Sequence, residues 1–348
     1  MTTTRPPIDP LRLAIPSKGH LYEGVVEILK TAGYKVRRAS DRQYEATVAG
    51  HPRFHIVFMR PTDIVTQVQE GRCHLGVTGM DLYAEREAES ERTVVVVPDL
   101  GYGGCRLVVA VPESWIDVTH IIDLVDLTAE FKAAGKTFRV STKYPALTRA
   151  YFRRWGIYYY QLIDSDGALE LHPTLGIADV IVDLTSSGIT LKDNRLREIE
   201  GGTVLESASC LIGHAPSLRE LADEGVTGPL ALLLDAMDGV RGSDGWLHLE
   251  VVGAPAAPGP ETAARVASYL RDQGAQHIAR GEVWDDRDSP GWRVTALVAA
   301  RKLTACQRHL FELGASRVVG LPARFVFDRD GHSTFDSLRE RLTRRPEG

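Results

Sequence analysis

The stretch Ala178-Asp179-Val180-Ile181-Val182-Asp183-Leu184-Thr185-Ser186-Ser187-Gly188-Ile189-Thr190 runs from an apolar strand into a loop of hydroxyls and one glycine, and Leu191 then opens a helical turn. A strand that feeds a loop and then a helix is the repeating unit of a mostly parallel α/β sheet. The loop has the chemistry of a phosphate cradle. Glycine lets the backbone approach an anion, small hydroxyls add donors, and free N–H groups at a helix start complement negative charge. Asp183, at the strand's end, is placed to accept hydrogen bonds from ribose hydroxyls. The same residue types also make an ordinary Ser/Thr-rich helix cap.

Working outward, the alternation persists. Residues 11–15 read as a strand, 21–32 as a helix with apolar residues at Leu21, Val25, Ile28 and Leu29, 55–59 as a strand, 63–69 as a helix and 75–78 as a strand. Residues 93–97 form a further strand before the glycine-rich Leu100-Gly101-Tyr102-Gly103-Gly104, where the chain is expected to cross into a second lobe. That lobe is predicted to hold strands at 107–111, 137–141, 158–163 and 180–184 and helices at 147–155 and 169–175. The run Tyr158-Tyr159-Tyr160 is expected to alternate buried and exposed rings along a strand. A Gly/Ser/Asp-rich stretch, 239–245, precedes a segment of different rhythm, strand, helix, strand, strand, helix, strand over residues 246–321, the ferredoxin-like order. Residues after Arg329 are charged and read as a frayed helix or tail.

The predicted organisation is therefore α/β: lobe I from 11–99 with 191–225, lobe II from 100–190, a linker over 226–245 and a C-terminal domain over 246–325. With 348 residues, 43% hydrophobic and 25% charged, the chain has the composition of several ordinary globular domains. A net charge of −5 gives no sign of a nucleic-acid-binding surface. Cys73, Cys105, Cys210 and Cys306 are too far apart in sequence for a zinc site or redox dithiol. No secretory signal and no membrane-length apolar run is present, so the expected location is the cytoplasm.

Several blocks, in order, resemble the ATP phosphoribosyltransferases. They are Arg60-Pro61-Thr62-Asp63-Ile64 with Leu75-Gly76-Val77-Thr78-Gly79-Met80-Asp81, Leu100 to Leu107, and Ser141-Thr142-Lys143-Tyr144-Pro145-Ala146-Leu147-Thr148-Arg149. The series continues with Glu170 to Asp179, the hydroxyl loop itself and Leu205-Glu206-Ser207-Ala208-Ser209-Cys210-Leu211-Ile212, so that the likeness covers residues 11–212. The resemblance implies a two-lobed catalytic core like that of periplasmic binding proteins. It also implies transfer of the phosphoribosyl group of phosphoribosyl pyrophosphate to N1 of the adenine of ATP, with Mg²⁺ as helper. On that basis Asp183, Glu170 and Lys18 are the candidate catalytic residues, and Asp183 with Thr185, Ser186, Ser187, Gly188, Ile189 and Thr190 holds the ribose 5′-phosphate. Lys18, His20, Arg60, Asp81, Arg106 and Lys143 are candidates for the nucleotide and phosphates. Several residues have plainer alternatives: a helix cap for Asp81, a turn cap for Asp179, a solvated helix face for Glu170, a solvated lysine for Lys18, a partnered cation for Arg106 and Lys143.

Two departures from the family pattern stand out. Lys18-Gly19-His20-Leu21 replaces the usual Lys-Gly-Arg-Leu, exchanging a fixed charge for a titratable imidazole. The turn before Glu170 reads Asp166-Gly167-Ala168-Leu169 in place of a hydroxyl-bearing one. Both leave open a related phosphoribosyltransferase with another acceptor base, and fold alone leaves open a binding protein on the same scaffold. The ferredoxin-like order of residues 246–321 resembles the histidine-binding regulatory domain of the family's long form, which is a hexamer. A homo-oligomer inhibited by histidine is the corresponding expectation.

Overall fold

The computed structural model describes residues 10–38, 40, 43–86, 92–165, 167–253, 259–284, 290–327 and 333–343. It divides into two compact units, Met1–Leu234 with Thr334–Gly348, and Asp235–Ser333.

The first unit opens with β1 (Leu11–Pro16), α1 (His20–Thr31), β2 (Val36–Arg37), β3 (Glu45–Val48), β4 (His51–Met59), α2 (Pro61–Gln69), β5 (Leu75–Gly79), α3 (Met80–Arg86) and β6 (Thr93–Val97). It continues with β7 (Cys105–Pro112), α4 (Asp123–Ala133), β8 (Arg139–Thr142), α5 (Pro145–Arg154), β9 (Gln161–Asp164), β10 (Val180–Thr185), α6 (Ile189–Asp193), β11 (Leu196–Ser207), β12 (Ser209–His214) and α7 (Ala215–Ala222). These strands make two sheets, ordered β2-β3-β4-β1-β5-β12-β6 in lobe I and β11-β7-β10-β8-β9 in lobe II. The central strands β4, β1 and β5 run parallel. Leu11, Leu13, Ala14 and Ile15 of β1 are all buried, as expected of a strand covered on both faces. In lobe II, β10 lies parallel to β8 and antiparallel to β7, over a core that includes Leu107, Val109, Phe138, Phe152, Val180 and Val182. Burying each such side chain contributes roughly 1.5–3 kcal/mol.

The chain crosses between the lobes twice, after β6 and at Ala208 between β11 and β12. The crossings are tied together: Leu100 N donates to Ser209 O at 2.9 Å, and Ser209 N and Oγ donate to Tyr102 O at 3.1 and 2.8 Å. Gly103 sits in this bend at φ +73°, a conformation other residues rarely adopt. Two α/β lobes joined by paired crossings are the periplasmic-binding-protein architecture.

Four sequence expectations change, and one element was not foreseen. The return to lobe I comes at Ala208, since β11 pairs with β7 in the lobe II sheet; residues 191–207 therefore belong to lobe II. The 169–175 helix is one 3₁₀ turn, Leu169–Leu171, followed by turns; Leu171 and Leu175 are 43% and 65% exposed, so their helical spacing has no core to meet. The tyrosine run precedes β9 instead of forming it, with Tyr158 exposed and Tyr159 and Tyr160 half-buried. The 226–245 linker holds a second 3₁₀ turn and α8 (Pro229–Gly242), whose Leu230, Leu233 and Leu234 are buried. The hairpin β2-β3 was not signalled by its polar residues.

The second unit contains β13 (Trp246–Gly253), α9 (Gly259–Asp272), β14 (Gln276–Trp284), β15 (Pro290–Ala299), α10 (Ala300–Glu312) and β16 (Arg317–Pro322). Its sheet is antiparallel in the order β14-β15-β13-β16, the ferredoxin-like arrangement. Leu249, Val251, Val266, Leu270, Val294 and Leu310 are among its buried residues. The charged tail is a formed helix, α11 (Thr334–Thr343), counted with the first unit. Phe335, Leu338 and Leu342 are buried, and Arg219 Nε on α7 donates to Leu342 O at 3.0 Å.

Candidate active site

β10 delivers its end to the cleft side of lobe II. Asp183 Oδ1 accepts the amide of Leu184 at 2.8 Å. Burial pushes its carboxyl above the usual carboxylate range and the negative charge of Glu170 adds to this; the Leu184 amide and the positive charge of Lys143 pull it back. Glu170 and Lys143 are thus the charges that act on Asp183, and the pairing of Thr142 with Val182 sets Lys143 next to it. Glu170 lies on the 3₁₀ turn after Ala168, whose φ of +50° is unusual for a residue with a side chain. His172, two residues on, shares a 2.7 Å hydrogen bond with buried Ser141 of β8, fastening that turn to the sheet.

The loop after Asp183 is held from within. Thr185 is buried and its Oγ1 accepts the amide of Gly188 at 2.9 Å. Gly188 has φ +73°, and a Cβ there would lie 3.3 Å from Glu198 Oε1. Ser187 Oγ accepts the Ile189 amide at 3.5 Å, and Thr190 O accepts from Asn194 Nδ2 at 2.9 Å. Gly188 caps α6 without a side-chain bond. Ser186, Ser187, Ile189 and Thr190 remain exposed. Ser186 lines a cavity of about 570 Å³ together with Arg106 of lobe II, Met80, Pro98 and Asp99 of lobe I, and Glu206 and Ser207 beside the second crossing. A hollow of about 690 Å³ on lobe II, lined by Asp117, Asp123, Asp126 and Glu130, contains none of the candidate residues, and its charge repels phosphates.

Lys18 and His20 are exposed at the end of β1 and the start of α1, and Arg60 is the exposed N-cap of α2. The His20 ring stacks on Tyr102 of the crossing, with centroids 6.1 Å apart and planes 11° from parallel; Tyr102 was not signalled by the sequence. Arg106 is already paired, donating to both oxygens of Glu198 at 2.7 and 3.0 Å, so the plainer alternative describes it. Asp81 is buried in the first turn of α3. Its Oδ2 accepts from Tyr144 OH and its Oδ1 from Ser207 Oγ, each at 2.7 Å. Asp179 accepts from Arg139 N, Nε and Nη2 at 2.8, 3.2 and 2.9 Å, which is a structural role. Glu198 and Tyr144 are partners that sequence spacing could not reveal, because they meet Arg106 and Asp81 across strands and lobes. Among the described residues, no three His, Cys, Asp or Glu side chains form a group able to hold a metal ion, and no helix is long and apolar enough to cross a membrane.

Residues 60–232 match the ATP phosphoribosyltransferase family model. The ATP phosphoribosyltransferase of Brucella anthropi is 44% identical over 203 residues, 58% of this chain and 88% of that protein. The chain belongs to the ATP phosphoribosyltransferase family. That of Brucella suis is 43% identical over the same length. A chain of the ATP phosphoribosyl transferase (HisG:HisZ) complex from Thermotoga maritima superposes with a TM-score of 0.50 at 26% identity, covering 65% of this chain and 98% of that one. The family match ends within α8, so the ferredoxin-like unit lies outside it.

Proposed function

We propose that this chain transfers the phosphoribosyl group of phosphoribosyl pyrophosphate to N1 of the adenine of ATP, releasing pyrophosphate in the first step of histidine biosynthesis, and that the Asp183–Thr190 segment holds the group transferred. The observation that carries the residue assignment is the end of β10. There a half-buried carboxylate, acted on by the charges of Glu170 and Lys143, leads into a loop whose Ser186 lines the interlobe cavity.

In the reaction the C1–O bond to pyrophosphate breaks as N1 of adenine attacks C1, so positive charge builds on the ribose and negative charge on the leaving group. Positioning and fixed charges suffice, and no strong base is needed. Ionised Asp183 accepts from the ribose hydroxyls and, with Glu170, favours the developing positive charge. Ser186, Ser187 and Thr190 donate to the 5′-phosphate, and the backbone opened by Gly188 lets it approach. Lys18, Arg60 and Lys143 supply positive charge for the pyrophosphate or the triphosphate. The negative charge that Glu170 sets against Asp183 fits a cation brought in with the substrate. Mg²⁺ there would neutralise the leaving pyrophosphate.

Purified protein with ATP, phosphoribosyl pyrophosphate, Mg²⁺ and pyrophosphatase should yield phosphoribosyl-ATP, and Asp183→Ala should abolish it. His20 in place of arginine, stacked on Tyr102, favours a second reading in which the acceptor is another base. Pyrophosphate release with a different base, and none with ATP, would establish that reading. The ferredoxin-like unit, residues 246–325, is the regulatory domain in this account, and the assembly is a homo-oligomer of the hexameric long form. Histidine that neither binds nor inhibits at millimolar concentration would remove the regulatory assignment.

A further inference from the structure

Helix α5 of lobe II starts without a cap of its own. Its N-cap is Tyr144, which makes no side-chain capping bond, and Pro145 follows, so the next amides need acceptors from elsewhere. Lobe I supplies them. Glu85 on α3 accepts from Ala146 N through Oε1 at 2.7 Å and from Leu147 N through Oε2 at 2.9 Å. One turn earlier on α3, Asp81 accepts from Tyr144 OH and Ser207 Oγ, while its own amide donates to Ser207 Oγ at 3.0 Å. Residues four apart share a helix face. The short helix α3 therefore presents two carboxylates to one turn of the opposite lobe and to the residue before the second crossing.

That turn is rigid from its own side as well. Thr142 Oγ1 accepts the Tyr144 amide at 2.9 Å, and Thr148 Oγ1 donates to Tyr144 O at 2.7 Å. Between Thr142 and Tyr144 stands Lys143, one residue past the pairing of Thr142 with Val182 that joins β8 to β10, so this turn leaves the sheet beside Asp183 and its cation acts on that carboxyl.

We propose that Glu85 and Asp81 are positioning residues: from lobe I they fix the Lys143 turn of lobe II against Asp183, so that binding of the phosphoribosyl substrate depends on how the lobes engage. The inference rests on the reading of Asp183 and Lys143 as part of the phosphoribosyl site. It assigns Asp81 a role remote from nucleotide contact and gives Glu85, which no motif singled out, a part in substrate affinity.

The test uses the full chain and reads binding of phosphoribosyl pyrophosphate by calorimetry alongside steady-state kinetics. Glu85→Ala should weaken binding and raise KM for phosphoribosyl pyrophosphate about tenfold, with KM for ATP changed less than about twofold. Glu85→Gln, which keeps an acceptor oxygen, should recover most of the loss. In a Lys143→Ala background, Glu85→Ala should add less than about twofold, because both changes act through the same cation. If Glu85→Ala does not fold, Tyr144→Phe removes a single clamp bond and should show the same shift in KM. A wild-type protein that binds the substrate, with Glu85→Ala binding equally well at a lower Tm, would overturn the inference alone. So would a full tenfold effect persisting without Lys143. A wild-type protein that does not bind phosphoribosyl pyrophosphate would overturn the reading of the site and the inference with it.

Discussion

The two ends of β10 carry the same residue in opposite circumstances. Asp179, at the entrance, receives three hydrogen bonds from Arg139, and that charge-assisted pairing anchors the strand to β8. Asp183, near the exit, accepts from its neighbour Leu184 in the same strand, is desolvated, and faces another carboxylate. One aspartate is saturated and the other is held under electrostatic tension. A group whose acceptor capacity is committed to the fold stabilises it, whereas one kept short of partners is available to a ligand and costs stability to maintain.

The largest expected effect breaks the exit. Asp183→Asn should lower kcat/KM by about 100-fold or more, since the group opposing the ribose charge is lost. Its folded-state pKa is raised above the unfolded value, so the folded form binds the proton more tightly and stability falls as pH rises between the two values. Removing that ionisation should therefore leave the variant no less stable at neutral pH, with Tm about 2 °C higher by calorimetry. Gly188→Ala comes next. Its positive φ and the nearby Glu198 oxygen should cost about 1 kcal/mol or more and raise KM for phosphoribosyl pyrophosphate about tenfold, read by thermal unfolding and initial rates. The pH profile sharpens the contrast further. On the proposed role of Asp183 its ionised form is the active one, so kcat/KM for phosphoribosyl pyrophosphate should fall on the acid side at a pH above the ordinary carboxylate range, and Asp183→Asn should abolish that limb. The smallest change in catalysis belongs to the entrance. Asp179→Asn should lower Tm by about 2–4 °C and leave kcat/KM within about threefold of wild type.

Much of this was legible in the residues. The apolar runs at 11–15, 75–78 and 180–184 have no alternative to burial in a sheet, and all became strands. The C-terminal βαββαβ order likewise appeared in the observed antiparallel arrangement. Boundaries failed where local pattern had to compete with tertiary packing. Leucines at helical spacing in 169–175 found no surface to cover, and β11 kept to lobe II because its partner β7 lies there. In the site, the hydroxyl-glycine loop was visible because its chemistry is contiguous in sequence. The bonds of Asp81 to Tyr144 and of Arg106 to Glu198 were not, since they span 63 and 92 residues. A carboxylate in a motif looks the same whether it awaits a ligand or binds two lobes together, and only its partners tell these apart.

The most direct test places the two aspartates side by side. Wild type, Asp179→Asn and Asp183→Asn, each with ATP, phosphoribosyl pyrophosphate and Mg²⁺, would be assayed for phosphoribosyl-ATP and released pyrophosphate by chromatography and mass spectrometry. The account predicts product from the first two and essentially none from the third. Product from Asp183→Asn at the wild-type rate, or none from the wild-type protein, would contradict it.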